Sequence, residues 1–298
     1  MASYTFTKPN RHPYLSPLRY PGGKAVLYPF LRDLVDLNCG NSPVYCEPYA
    51  GGAGGALELL LNGHVDEIKL NDRDYHIFAF WNILLNDTAW LIDQIEVVKV
   101  NLREWEKQRS VYDNFRRHSR REVAFSTFFL NRCNRGGILP NAGPIGGKDQ
   151  KGAYPIDARF NRDGLVERIL KVAEYREQIR FVNEDAYDFI TTCFKLYRNS
   201  RLLMYVDPPY YKQGAGLYLN SYKHLDHENI AGLLKSKRQR NWFLSYDNEK
   251  PILELYQGVN KLYFDLQYSL QRVAVAKEIM VFSDALVVPN AVSRMFLS

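Results

Sequence analysis

The chain has 298 residues, 46% hydrophobic and 24% charged, a globular balance that excludes disordered and fibrous classes and leaves room for a core domain with an insertion. No apolar run approaches the roughly 18 residues of a membrane-spanning helix, and residues 1–20 lack the apolar h-region of a secretory signal. The formal charge of +6 is local: residues 99–151 hold twelve Lys and Arg against five Asp and Glu, and the remainder is close to neutral.

Leu18-Arg19-Tyr20-Pro21-Gly22-Gly23-Lys24 precedes an apolar run over 25–31 and reads as a turn entering a helix. Lys24 and the free amides of that helix start suit a carboxylate, although in isolation a plain turn with a lysine is the favoured reading. A short strand over 44–46 follows, closed by Glu47-Pro48-Tyr49-Ala50-Gly51-Gly52-Ala53-Gly54-Gly55 and a helix over 56–61. Strand, glycine loop and helix is the order of a nucleotide-type site, though not the dinucleotide G-x-G-x-x-G pattern. A strand over 67–70 ends in Asn71-Asp72, which puts an acid where ribose hydroxyls are bound, twenty residues past Gly52.

After a helix over 77–85 the rhythm breaks. Residues 91–163 begin as a charged helix, continue through Phe125-Ser126-Thr127-Phe128-Phe129-Leu130-Asn131-Arg132, and turn rich in Gly, Pro and Asn, as a loop or hairpin would. This is also the basic segment. Clustered positive charge is the footprint of a polyanion partner, with a solvated helix face as the plain alternative. Alternation then resumes, with a helix over 165–177 and a strand over 179–182 closing on Asn183-Glu184-Asp185. Further strands are expected over 202–206, 242–245, 261–266 and 278–282, the last two able to pair as an antiparallel hairpin. Strands alternating with helices predict a doubly wound α/β sheet.

The sharpest signal is the end of the 202–206 strand, Asp207-Pro208-Pro209-Tyr210-Tyr211. Ligands of open α/β sheets sit beyond the carboxyl ends of the strands. An exocyclic aromatic amine is a poor nucleophile, because its lone pair is delocalised into the ring. Two acceptors against its N–H groups, the Asp207 side chain and the Pro208 carbonyl, would draw it towards tetrahedral geometry and stabilise developing positive charge. The prolines pre-set the turn and Tyr210 can stack on the base. The plain alternative is a turn that stops a strand.

His224, Asp226, His227 and Glu228 lie together, but nothing else supplies further ligands at recognisable spacing, so no metal is expected. The basic run 235–240 reads as a solvated helix end complementing its dipole, with a supplementary phosphate contact as the alternative. Cys39, Cys46, Cys133 and Cys193 have no paired spacing, which favours a reducing cytoplasm.

In order, Arg19-Tyr20-Pro21-Gly22-Gly23-Lys24, Glu47-Pro48-Tyr49-Ala50-Gly51-Gly52, a variable basic segment and Asp207-Pro208-Pro209-Tyr210 resemble the α-group, Dam-like adenine-N6 DNA methyltransferases. The resemblance covers most of the chain outside 91–163. It implies a Rossmann-like, seven-stranded S-adenosylmethionine-binding domain over 1–90 and 164–298, with a mainly helical target-recognition domain inserted at 91–163. It assigns Tyr20 and Lys24 to the methionine end of the cofactor, Ala50, Gly51 and Gly52 to its glycine loop, and Asp72 to its ribose. Asp185 is assigned to its adenine, and Asp207, Pro208 and Tyr210 to catalysis on a base flipped out of duplex DNA. Cys133-Asn134-Arg135-Gly136-Gly137-Ile138-Leu139 departs from Dam itself, so the recognised sequence is open. Arg116, Arg117, Arg120, Arg132, Asn134 and Arg135 are the candidate DNA contacts, with structural hairpin roles as the alternative for the last three. Methylation of cytosine N4 or of RNA, and non-catalytic nucleic-acid binding on the same scaffold, are the competing readings. Whether a cognate restriction endonuclease is a partner, and the oligomeric state, are not legible.

Overall fold

The computed structural model describes residues 3–6, 15–19, 24–211, 222–270 and 272–289. Its centre is four short strands, β2 (Val44–Glu47), β3 (Glu67–Asn71), β5 (Leu202–Val206) and β6 (Trp242–Asp247). Every residue of β2, β5 and β6 is buried, so both faces need a covering layer, the condition that parallel sheets meet with crossover helices. A short β1 (Ser3–Phe6), β4 (Ile179–Val182) and the long β7 (Asn260–Leu270) and β8 (Arg272–Phe282) complete one sheet in the order β1-β7-β8-β6-β5-β2-β3-β4. β4, β3, β2, β5 and β6 run parallel to one another, and β8 lies antiparallel to both β6 and β7.

All seven expected strands are present, and the last two form the expected hairpin, longer than the apolar runs alone indicate. The eighth, β1, sits at the edge beside β7, where four residues of Ser-Tyr-Thr-Phe give too short an alternation to stand out. The helix expected over 165–177 is α7 (Arg162–Ala173), followed by a 3-10 turn at Arg176–Gln178.

The period-two alternation of the strands divides the core in two. Tyr45, Leu203, Tyr205 and Phe243 pack against α1 (Tyr28–Asn38), α2 (Gly54–Leu61) and α3 (Tyr75–Asn86) through Phe30, Leu57 and Trp81. Cys46, Met204 and Leu244 face the other way, onto α8 (Ala186–Leu196) and α9 (His224–Ser236) through Ile190 and Leu234.

The basic segment is helical first: α4 (Thr88–Val97), α5 (Leu102–Asp113) and α6 (Arg120–Cys133). Ser119 and Glu122 cap α6 reciprocally, and every α6 residue from Val123 to Cys133 is buried. Phe128 stacks on Phe80 of α3 at 5.8 Å, and Phe128, Phe129 and Phe160 belong to the same apolar cluster as Leu57 and Leu70. The segment is therefore built onto the sheet's helical layer through a shared core. Beyond α6 the chain turns back on itself, with Asn134 bridging Pro144 and Ile145 N donating to Cys133 O. No helix among the described residues is long and apolar enough to cross a membrane.

Asn131 ties this turn to the N-terminal segment. Its side chain accepts from Arg19 N at 2.7 Å and donates to Arg19 O and Gly137 O at 2.7 and 2.8 Å. Gly137 has φ of +75° and a Cβ there would lie 2.6 Å from Arg19 O, so only glycine fits. Gly137→Ala is expected to cost about 1–3 kcal/mol in urea denaturation, because strain and a backbone clash act together.

Candidate active site

In the strand order, β2 and β5 lie side by side and the chain leaves them in opposite directions across the sheet, which makes their carboxyl ends the topological switch point. The glycine loop follows β2 and the Asp207-Pro208-Pro209-Tyr210 turn follows β5, so two motifs distant in sequence meet at one crevice.

Val206 pairs with Leu244, so Asp207 falls beside Ser245 of β6. Ser245 Oγ donates to Asp207 Oδ1 at 2.6 Å and is itself 2.7 Å from the Tyr205 hydroxyl. Lys24, in a 3-10 turn (Lys24–Leu27) ahead of α1, reaches over the strand ends. Its Nζ lies 3.3 Å from Asp207 Oδ1, 3.7 Å from Glu278 Oε2 and 2.8 Å from the Tyr210 hydroxyl, to which it donates. Tyr210 in turn donates to Glu278 Oε2 at 2.5 Å. Lys24 and Glu278 are buried, whereas the Asp207 side chain keeps 23% of its surface exposed, enough to meet a ligand. On β2, Tyr45 donates to Glu47 at 2.9 Å. Burial, opposed by that hydroxyl and reinforced by the Asp207 charge, pushes the Glu47 carboxyl up to about 8.

The second tyrosine is held separately. Tyr211 N donates to Asp247 Oδ1 at 3.0 Å, and its ring rests on His227 at 5.2 Å. His227 is buried, bonds the Tyr246 hydroxyl through Nδ1 at 2.7 Å and also carries the Tyr222 ring at 5.3 Å. The Tyr222 hydroxyl is 2.6 Å from that of Tyr49. The histidines set aside as metal ligands thus support the aromatic wall behind the turn.

At the other end of the crevice, Gly51 takes φ of +47° and donates its N–H to Asp72 Oδ2 at 2.9 Å, while Asp74 N donates to Oδ1 at 2.9 Å. Trp81 Nε1 fixes the Gly51 carbonyl at 2.8 Å, and Ala50 N donates to Asn71 O at 2.9 Å. Ala50 and Gly51 are thereby tied to Asn71 and Asp72 at the end of β3. Burial, with the Asp74 charge adding to it, pushes the Asp72 carboxyl up to about 7 against the pull of its two backbone donors. Asp185, beyond β4, caps α8 through Tyr187 N at 2.9 Å and pairs with Arg73 at 3.3 Å. Tyr20 lies outside the described residues.

The six expected DNA contacts separate by burial. Arg116, Arg117, Arg120 and Arg135 are exposed. Arg120 lies over the Phe78 ring and donates to Asn82, along the side of α3. Arg132 is buried and donates to the Arg159 carbonyl, and Asn134, fully buried, accepts from Trp105 Nε1 at 2.8 Å and donates to Ile138 O at 2.7 Å. These two side chains are spent inside the fold, which removes them from the candidate contacts and selects their structural reading. Arg109 plays a similar part. Stacked on Trp105 and Tyr112, it donates to the Leu139 and Ala142 carbonyls and so holds the turn from below.

Sequence reasoning left Ser245, Glu47, Glu278 and Asn131 without roles. Ser245 and Glu278 carried one usable signal, a polar residue in or beside an otherwise apolar buried strand.

A family model described as D12 class N6 adenine-specific DNA methyltransferase matches residues 20–270. No curated protein matches the chain. Two solved structures of the rRNA methyltransferase aviRa from Streptomyces viridochromogenes are similar at 13% and 12% identity, covering 89% and 90% of this chain and 87% and 88% of theirs. Their TM-scores are 0.38 and 0.39, too low to add to the topology above.

An acid whose folded pKa lies above its unfolded value stabilises most below the unfolded value and loses that contribution as pH rises through the folded one. Glu47 should therefore weaken the fold between about pH 4.5 and 8. Glu47→Gln removes this loss, so its stability relative to the parent chain should rise over that window by roughly a few kcal/mol, read from urea midpoints. A constant difference from pH 5 to 8 would contradict the assignment.

Proposed function

The chain belongs to the D12 class of N6 adenine-specific DNA methyltransferases, and from that premise we propose that it transfers a methyl group from S-adenosylmethionine to adenine N6 at a specific sequence in duplex DNA. The observation that carries this reading is the Asp207-Pro208-Pro209-Tyr210 turn at the switch point, with a partly exposed carboxylate held on one oxygen by Ser245 and Lys24. Asp207 and the Pro208 carbonyl would accept the two amine hydrogens, which localises the nitrogen lone pair for attack. Tyr210 would stack on the base. In this reading the base would be turned out of the helix to bring its amine to Asp207.

The donor set fits the cofactor. Asp72 is fixed by two backbone amides, which supports a role in holding ribose hydroxyls, and the Ala50-Gly51-Gly52 backbone beside it would permit close approach. Lys24 would take the carboxylate of the methionine end together with Tyr20, and Asp185 would stand near the adenine. When bound, S-adenosylmethionine supplies a sulfonium-activated methyl group. The donor would keep the carbon–sulfur electron pair, and Asp207 would accept the proton that the amine nitrogen gives up.

In this reading residues 91–163 are the DNA-reading segment. The exposed Arg116, Arg117, Arg120 and Arg135 contact phosphates, and duplex DNA in the cytoplasm is the partner.

Asp207→Ala should lower labelled-methyl transfer to unmethylated duplex DNA by at least about a thousandfold, while cofactor binding measured by calorimetry stays within a few fold. Retained transfer, or transfer only to RNA or to cytosine, would reject the assignment. Arg116→Ala combined with Arg117→Ala should weaken binding to all duplex sequences alike and reduce the slope of log affinity against log salt by about 2.

A further inference from the structure

We infer that Tyr205 and Ser245 form a buried hydroxyl relay that fixes the Asp207 carboxylate, committing Oδ1 to the protein and presenting Oδ2 to the substrate amine. The inference rests on the proposed methyl transfer and deepens it, by adding two positioning residues.

The direction of the relay follows from counting hydrogens. A serine hydroxyl has one proton, and Ser245 spends it on Asp207 Oδ1 at 2.6 Å. The 2.7 Å contact between Tyr205 and Ser245 must then carry the tyrosine's proton towards Ser245. Tyr205 is suited to remain a donor: it is buried, stacked on Phe243 at 4.5 Å, and burial, followed by the Asp207 charge, holds its hydroxyl well above its ordinary value. Both side chains exist in this arrangement because of strand register. Tyr205 and Asp207 point to one face of β5, Phe243 and Ser245 to the same face of β6, and Tyr205 pairs with Phe243.

Lys24 approaches the same oxygen at 3.3 Å, so among the described residues every partner of Asp207 lies on Oδ1. A carboxylate anchored through one oxygen cannot rotate to offer either at random. The second oxygen has a defined direction, which is what an acceptor must have before the amine arrives.

Ser245→Ala should lower kcat for methyl transfer on the order of 10- to 100-fold, with cofactor Kd and DNA KM within about threefold. Ser245→Thr should restore kcat. Tyr205→Phe, which leaves Ser245 its own proton, should have the smaller effect. The Asp207 carboxyl carbon NMR resonance, read at one fixed pH without cofactor or DNA, should move in Ser245→Ala and return in Ser245→Thr. Unchanged kcat and an unchanged Asp207 resonance, or a Thr variant no better than Ala, would overturn the relay. Because that resonance needs no turnover, an inert parent chain whose Asp207 still responds to Ser245→Ala would reject the reaction and keep the relay.

Discussion

Four carboxyl groups from four strands, Glu47, Asp207, Asp247 and Glu278, converge at one end of the sheet, and Lys24 is the described cation within ion-pair distance of any of them. So much buried negative charge is not tolerable without donors, and the local structure supplies one to each. Tyr45 serves Glu47, Ser245 serves Asp207, Tyr210 serves Glu278 and the Tyr211 amide serves Asp247. Glu47 relieves the remaining excess by holding its proton towards pH 8. Lys24 then touches Asp207, the Tyr210 hydroxyl and Glu278 at once. The charge arrangement at the ends of β5 and β8 therefore converges on a single ammonium group.

Much of this was legible in the sequence because strand ends announce themselves. Apolar runs closed by Glu47, Asp72 and Asp207 gave both the sheet and the positions of its acids. What was not legible depends on register and burial. Ser245 matters only because β6 lies beside β5 with Leu244 opposite Val206, a pairing between segments about forty residues apart. Glu278 joins the site because β8 runs antiparallel into it. Arg132 and Asn134 misled for a related reason. In sequence they sit in a basic, loop-like stretch, but Arg132 ends a helix buried along its inner length and Asn134 is held under the Trp105 indole. Composition reports the charge of a segment and cannot report which of its charges face inward.

The basic segment also differs from a free-standing module in its physics. Its aromatic residues complete the layer over the sheet, and its turn is fastened to the residues just ahead of Lys24. Destabilising one part of that layer will be felt in the other, since packed interiors transmit strain. The exposed arginines are carried at the surface of this shared body.

The fastening at Asn131 and Gly137 uses backbone atoms on the far side: Arg19 N and O, and the Gly137 carbonyl. Arg109 likewise grips the turn by carbonyls at Leu139 and Ala142. Backbone groups are the same whatever side chain they bear, so these bonds do not depend on which side chains stand at 139 and 142. Packing sets the limit instead: Leu139 is buried in the core cluster and Gly146, at φ of +83° with a Cβ position 2.7 Å from Tyr154 O, admits no side chain. Change without loss is therefore confined to exposed positions of the turn such as Lys148, while its base stays put.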